Sequence, residues 1–222
     1  KKLQKAIPDF YGKEDITFHE LNSDFIATFD LFLKTEAGLC RNTIVRYMKC
    51  FKRITNMALA KEWMRKDPFY GYKMAQDETD PVFLTYPELK SIMEKEFTIP
   101  RLALVRDIFV FAAFTGLAFA NVSTLTKDNL VQDNNGDWWI RKGRVKLERR
   151  HRASSVCNIP LLPVPLAILK KYEEHPICRK KSLCLPVICN QRMNSYLKEI
   201  ADLCNIRKNL TTHTAKHSKI YI

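Results

Sequence analysis

The segment Leu210-Thr-Thr-His213-Thr-Ala-Lys216-His217-Ser-Lys-Ile-Tyr221-Ile222 gathers two histidines, two lysines and a tyrosine. Imidazole and ammonium groups can donate hydrogen bonds to the non-bridging oxygens of a phosphate that gains charge in its transition state. A tyrosine hydroxyl becomes a nucleophile once its proton is removed and a phosphate is held in line. His213 and Lys216 stand three residues apart, and on a helix they share one side. Read alone, the segment fits a polar tail as well as a phosphodiester site.

A second group of residues points the same way. Arg141-Lys-Gly-Arg-Val-Lys-Leu-Glu-Arg-Arg-His-Arg152 holds seven Lys/Arg and one acid in twelve residues. Like charges this dense repel one another unless a partner supplies phosphates. Arg141, Lys142, Arg144, Arg149, Arg150 and Arg152 are therefore candidate DNA contacts; the alternative is a solvated surface loop. Arg46, Lys49 and Arg53 fall at i, i+3 and i+7 and form a basic ridge on one helix, suited to a phosphate backbone or to an ordinary solvated face.

The elements that must carry these groups are mostly helical. Asn22 or Ser23 caps a helix to about Thr35, stopped by Gly38, and Asn42 caps a longer one from Thr43 to about Trp63. In the longer helix Ile44, Tyr47, Met48, Phe51, Ile54, Ala58 and Leu59 recur at helical spacing and are the expected buried stripe. The polar run from Asp67 to Val82, closed by Pro81, is the expected domain boundary. Thr85, Pro87 and Glu88 then make a capping box for a helix from Tyr86 to about Phe97. An apolar helix follows from Pro100 to Thr115-Gly116. Asp137–Ile140 and Val156–Leu162 read as strands of a small antiparallel sheet bracketing the basic hairpin. Pro163–Glu174 and Gln191–Cys204 read as further helices.

Composition narrows the function. The chain of 222 residues carries a formal charge of +13, and residues 81–222 hold 23 Lys/Arg against 12 Asp/Glu. That surplus attracts polyanions. The seven cysteines are odd in number and form no CxxC pair, which favours reduced thiols in a cytoplasmic protein over zinc ligation or a disulfide framework. The longest apolar stretch, around Ile108–Ala120, is interrupted at Thr115-Gly116 and too short to span a bilayer. No Gly-rich phosphate loop or two-metal carboxylate cluster occurs. The start, Lys1-Lys-Leu-Gln-Lys, reads as a helix entered midway, so preceding chain is expected.

Phe114-Thr-Gly-Leu-Ala-Phe-Ala-Asn-Val-Ser-Thr-Leu-Thr126 resembles the first catalytic box of the tyrosine recombinase (phage integrase) family. Asn158-Ile-Pro-Leu-Leu-Pro163 resembles the strand after its catalytic hairpin, and Leu210–His217 its second box. Asn42–Thr55 and Glu62–Phe69 are similar to the core-binding domain, and the closest flavour is that of integrases from Bacteroidetes mobile elements. The resemblance implies a mainly α fold with a small antiparallel β-sheet. Residues 1–80 would be a helical core-binding, DNA-binding domain, and 81–222 a catalytic domain incomplete at its C-terminal end. It implies a two-domain clamp on duplex DNA attachment sites, a 3′-phosphotyrosyl intermediate and no metal or nucleotide cofactor. Assembly would be a homo-tetramer on paired sites, with a monomer compatible with the DNA-free state.

Carried over by position, the resemblance assigns Lys146 as the hairpin lysine that protonates the leaving 5′-oxygen and His213 as the histidine that assists phosphate binding or proton transfer. Lys216 occupies the place of the second arginine, keeping charge but losing the bidentate fork. Ala118 stands where the first arginine belongs, Asn121 where an acid is usual, and Leu147 where a threonine follows the lysine. The family places a longer stretch between its second box and the nucleophile. Either chain is missing before Tyr221, which is then the nucleophile, or Tyr221 is incidental and the tyrosine lies elsewhere. A non-cleaving DNA-binding protein of the same fold is the alternative.

Overall fold

The computed structural model describes residues 2–143 and 156–218, which divide into two units, Lys1–Thr79 and Asp80–Ile222. Arg144, Lys146, Arg149, Arg150, Arg152 and Tyr221 lie outside the described residues.

In the first unit, α1 (Lys2–Tyr11), α2 (Ser23–Lys34) and α3 (Arg41–Ala60) enclose a phenylalanine-rich core. Phe51 sits at its centre, with ring centroids 6.1 Å from Phe25, 5.8 Å from Phe29 and 5.6 Å from Phe69, all edge-to-face. That geometry sets the positive ring edge against a negative face. Asn22 caps α2, its Oδ1 accepting from the Phe25 amide at 2.9 Å, and Gly38 takes a left-handed φ of 58° after the helix. The cap of α3 is Cys40, not Asn42. Asn42 instead makes paired hydrogen bonds with the Asp77 backbone, accepting from its amide and donating to its carbonyl, each at 2.9 Å. Arg41 donates to the carbonyls of Lys73 and Ala75, and Lys49 Nζ to Gln76 Oε1 at 3.0 Å. The polar run read as a linker is thus strapped along α3 at residues 73–77.

The buried stripe of α3 also differs from expectation. Ile44, Met48, Phe51 and Ala58 are buried, together with Val45 and Thr55, whereas Tyr47 and Ile54 are exposed. Tyr47 and Ile54 each stand four positions from a core residue yet fall outside the buried face, whose centre lies further toward Val45 and Thr55.

The second unit is built around α5 (Pro100–Thr115), buried along nearly its whole length and ended by Gly116 in a left-handed conformation. It packs against α4 (Tyr86–Glu94), α7 (Pro163–Tyr172), α9 (Asn190–Leu203) and α10 (Thr212–His217). The Thr85 capping box forms, with Glu88 accepting from the Thr85 amide at 2.7 Å. The short helices α6 (Phe119–Val122) and α8 (Pro176–Lys181) complete the shell. Among the described residues the sheet has three antiparallel strands in order β1–β2–β3: Leu130–Gln132, Trp138–Gly143 and Val156–Pro160. Buried Ile140 faces Leu130 on one side and Ile159 on the other. β1 was not foreseen, although Asp133-Asn-Asn-Gly136-Asp carries a hairpin signal: Gly136 has φ 88°, and Asp133 Oδ1 accepts from the Asn135 and Asp137 amides. β2 runs on through Arg141 and Lys142, so both belong to a strand and not to a loop. Among the described residues, no helix is long and apolar enough to cross a membrane. No disulfide joins any of the seven cysteines.

Candidate phosphate-binding site

The sequence of α10 dictates its orientation. Thr214, Ala215 and Ser218 are buried, whereas His213, Lys216 and His217 are exposed. Small side chains inward let the helix press onto α5, and the i, i+3, i+4 spacing puts the three cationic or ionisable groups on one outer side. Both ends of the helix are tied down. Thr211 Oγ1 accepts from the Thr214 amide, and the Thr212 amide and hydroxyl donate to Asn194 Oδ1 at 2.9 Å and Asn190 Oδ1 at 2.8 Å. At the other end the buried Ser218 hydroxyl accepts from the Leu84 amide at 2.7 Å and donates to the Thr214 carbonyl at 2.8 Å.

The first and second motif segments meet in space. Phe119 and Val122 of α6 line a common apolar hollow with Thr212 and Ala215 of α10, floored by Ile108, Phe109 and Ala112 of α5. Ala118 caps α6 with an extended backbone and carries no polar side-chain atom; Asn121 sits half-buried within that helix. The end of the first segment is joined to the sheet by Lys142, whose ammonium donates to the Thr124 carbonyl at 2.5 Å and to Asn129 Oδ1 at 3.0 Å. Lys142 therefore already serves an intramolecular contact, while Arg141 beside it is exposed.

His213 is not alone on its face. Its Nε2 lies 2.9 Å from Nε2 of His217, with ring centroids 4.5 Å apart and planes at 84°. The i, i+4 spacing in the sequence carries that signal, which the reading of His213 and Lys216 as a pair passed over. Asn190 and Asn194, which hold the start of α10, have no motif and were not foreseen. Chemically, the face offers two imidazoles and one ammonium to an anionic oxygen. In the first unit Arg46, Lys49 and Arg53 are all exposed along α3, with Tyr47 and Ile54 beside them. No group of three or more His, Cys, Asp or Glu able to hold a metal occurs among the described residues.

Residues 1–74 match the phage integrase SAM-like domain. No curated protein matches the chain. Solved structures do. The XerH site-specific recombinase bound to a palindromic difH substrate in a post-cleavage complex superposes with a TM-score of 0.66 at 16% identity, over 98% of this chain and 64% of that one. A dimer of lambda integrase residues 75–356 bound to a COC′ core site gives a TM-score of 0.72 at 14% identity, over 97% and 74%. The Tn1549 transposon integrase in complex with circular intermediate DNA gives 0.66 at 17%, over 91% and 72%. The chain thus spans under two thirds of the XerH recombinase and about three quarters of the lambda integrase fragment. At these identities the likeness is one of fold: the chain shares the fold of these recombinase and integrase structures, and its first 74 residues match the phage integrase SAM-like domain.

Proposed function

We propose that this chain is a tyrosine-type site-specific recombinase of a mobile element, cutting and rejoining duplex DNA through a 3′-phosphotyrosyl intermediate. The observation that carries the reading is the meeting of α6 with α10, which brings the two boxed segments together and leaves His213 and Lys216 facing outward. A phosphate against that face would accept hydrogen bonds from both side chains. Residues 1–80 would bind DNA through Arg46, Lys49 and Arg53, and residues 81–222 would hold the scissile phosphate. Arg141, Lys142, Arg144, Arg149, Arg150 and Arg152 would follow the backbone, and Lys146 would protonate the leaving 5′-oxygen. Assembly would be a homo-tetramer on paired attachment sites, in the cytoplasm. The Bacteroidetes flavour of the motifs makes an element of that phylum the source we infer.

A second reading, a DNA-binding protein of this fold that does not cut, is favoured by Ala118, Asn121 and Lys216. Neither Ala118 nor Lys216 supplies a guanidinium fork. The two readings separate on a nicked suicide duplex carrying the attachment site, incubated with the full-length protein. A covalent adduct mapped by mass spectrometry to one tyrosine, and abolished by Tyr→Phe there, establishes the recombinase. Adduct formation that survives Tyr221→Phe and maps elsewhere removes Tyr221 from the site. Absence of any adduct, even after Lys216→Arg and Ala118→Arg, establishes the binding-only protein.

A further inference from the structure

We infer that His213 and His217 form a two-imidazole binding site for a first-row divalent transition ion, one that prefers right-angle coordination such as Ni²⁺. Two ligand nitrogens each about 2.05 Å from an ion stand about 2.9 Å apart at a right angle and about 3.3 Å apart at a tetrahedral angle. The two Nε2 atoms stand 2.9 Å apart, which fits the octahedral or square-planar bite.

Topology supports the distance. The two residues are one helical turn apart, so α10 presents both imidazoles from the same face. Both rings are exposed, so an ion reaches them without local unfolding, and its other positions go to water. The helix is itself braced by Asn190, Asn194 and Ser218, which limits the ordering that binding demands.

The proton balance also closes. In the ion-free neutral pair one imidazole donates its Nε2 proton to the other's lone pair. On binding, that proton moves to Nδ1 of the same ring, both Nε2 lone pairs face the ion, and no proton is released. Lys216 on the same face sets a like charge beside the ion and weakens the site. Among the described residues no carboxylate or thiol completes a third ligand. The site is thus a chelate of two imidazoles, distinct from a resident cofactor, and it does not depend on the recombinase reading.

The test is isothermal titration of the full chain with Ni²⁺ at neutral pH under reducing conditions, with His213→Gln and His217→Gln alongside. Circular dichroism verifies the fold of each variant. The cysteines and the remaining histidines are common to all three proteins, so their background cancels in the comparison. Loss of a chelating arm lowers the affinity of one site by about tenfold or more in each variant alike. Mg²⁺, a poor ligand for imidazole, gives no histidine-dependent heat. Wild-type affinity retained in either variant overturns the proposal: in both, the ion sits elsewhere; in one, a single imidazole binds it.

Discussion

Removing the Asp107 carboxylate should markedly destabilise the second unit. Asp107 is 6% exposed in the middle of α5 and ties that helix to α7. It accepts from the Tyr172 hydroxyl at 2.8 Å, from Lys171 Nζ at 2.7 Å and from Arg106 Nε at 2.8 Å. These three bonds are not equal. Tyr172 is 8% exposed, so its bond to a carboxylate contributes about 1.5–3 kcal/mol. The Lys171 side chain is 53% exposed and screened by water, which leaves it under about 1 kcal/mol, and the partly buried Arg106 adds about 1 kcal/mol. Asp107→Ala should therefore destabilise the unit by about 3–4 kcal/mol, at the low end of the cost of breaking a buried pair. Urea unfolding followed by tryptophan fluorescence reads this directly. Trp138 and Trp139 report on the second unit once Trp63 is replaced by Phe. A double-mutant cycle with Tyr172→Phe should return a coupling of about 1.5 kcal/mol or more. A loss under about 1 kcal/mol for Asp107→Ala, or strict additivity with Tyr172→Phe, would refute the assignment of this network as the tie between α5 and α7.

Three further outcomes are expected. Arg46→Ala and Arg53→Ala should each weaken duplex binding regardless of sequence and flatten the slope of log K against log salt by about 1, measured by fluorescence anisotropy; an unchanged slope would take α3 off the DNA. Lys216→Arg should leave duplex affinity within about twofold while raising adduct formation about tenfold or more, because a fork adds a charge-assisted hydrogen bond of about 1.5–3 kcal/mol. Equal rates in the two proteins would show that position 216 does not touch the phosphate. Burial first, and the Asp30 carboxylate that accepts from its hydroxyl, push Tyr72 up to about 12. A raised tyrosine pKa gives stability that is complete below the ordinary value of about 10 and lost as pH climbs through the folded value. The first unit, followed by Trp63 fluorescence with Trp138 and Trp139 replaced by Phe, should thus weaken from about pH 10 towards pH 12, and Tyr72→Phe should flatten that loss.

How much of this was legible in the sequence depended on the range of the forces involved. The Asn22 cap, the Thr85 capping box and the Gly116 stop are settled within a few residues, and each appears where its local signal stands. The cap of α3 was misplaced because the Asn42 side chain is drawn to the Asp77 backbone, thirty-five residues on, and only the folded unit brings that partner near. Tyr47 and Ile54 were misjudged for a related reason: helical periodicity gives the centre of a buried face, but its edges depend on the neighbouring helix. At the candidate site, residue types point to His213 and Lys216 as candidates, whereas the bracing by Asn190, Asn194 and Leu84 joins positions far apart in the chain. Lys142 shows the converse limit. Its charge reads as a DNA contact, yet its geometry adds a bond to Thr124 and Asn129 that no charge count reveals.

The support beneath α10 bears on which of the two functional readings holds. A helix of six residues has little stability of its own, since nucleation is unfavourable and few internal bonds form. Here it is held by a threonine cap, by two asparagines on α9 and by a buried serine that also satisfies the Leu84 amide. Each of those bonds fixes position and contributes little specific to phosphate. A surface that only attracted DNA would need charge and would tolerate a loosely held helix. Phosphoryl chemistry needs donors placed closely and held there. On the recombinase reading proposed above, the bracing would serve to position the outer face of α10 against a substrate. Ala118 and Lys216 determine which groups stand on that frame, not the frame itself. That is the reason Lys216→Arg is the most informative single change: it supplies a fork to a helix already fixed in place.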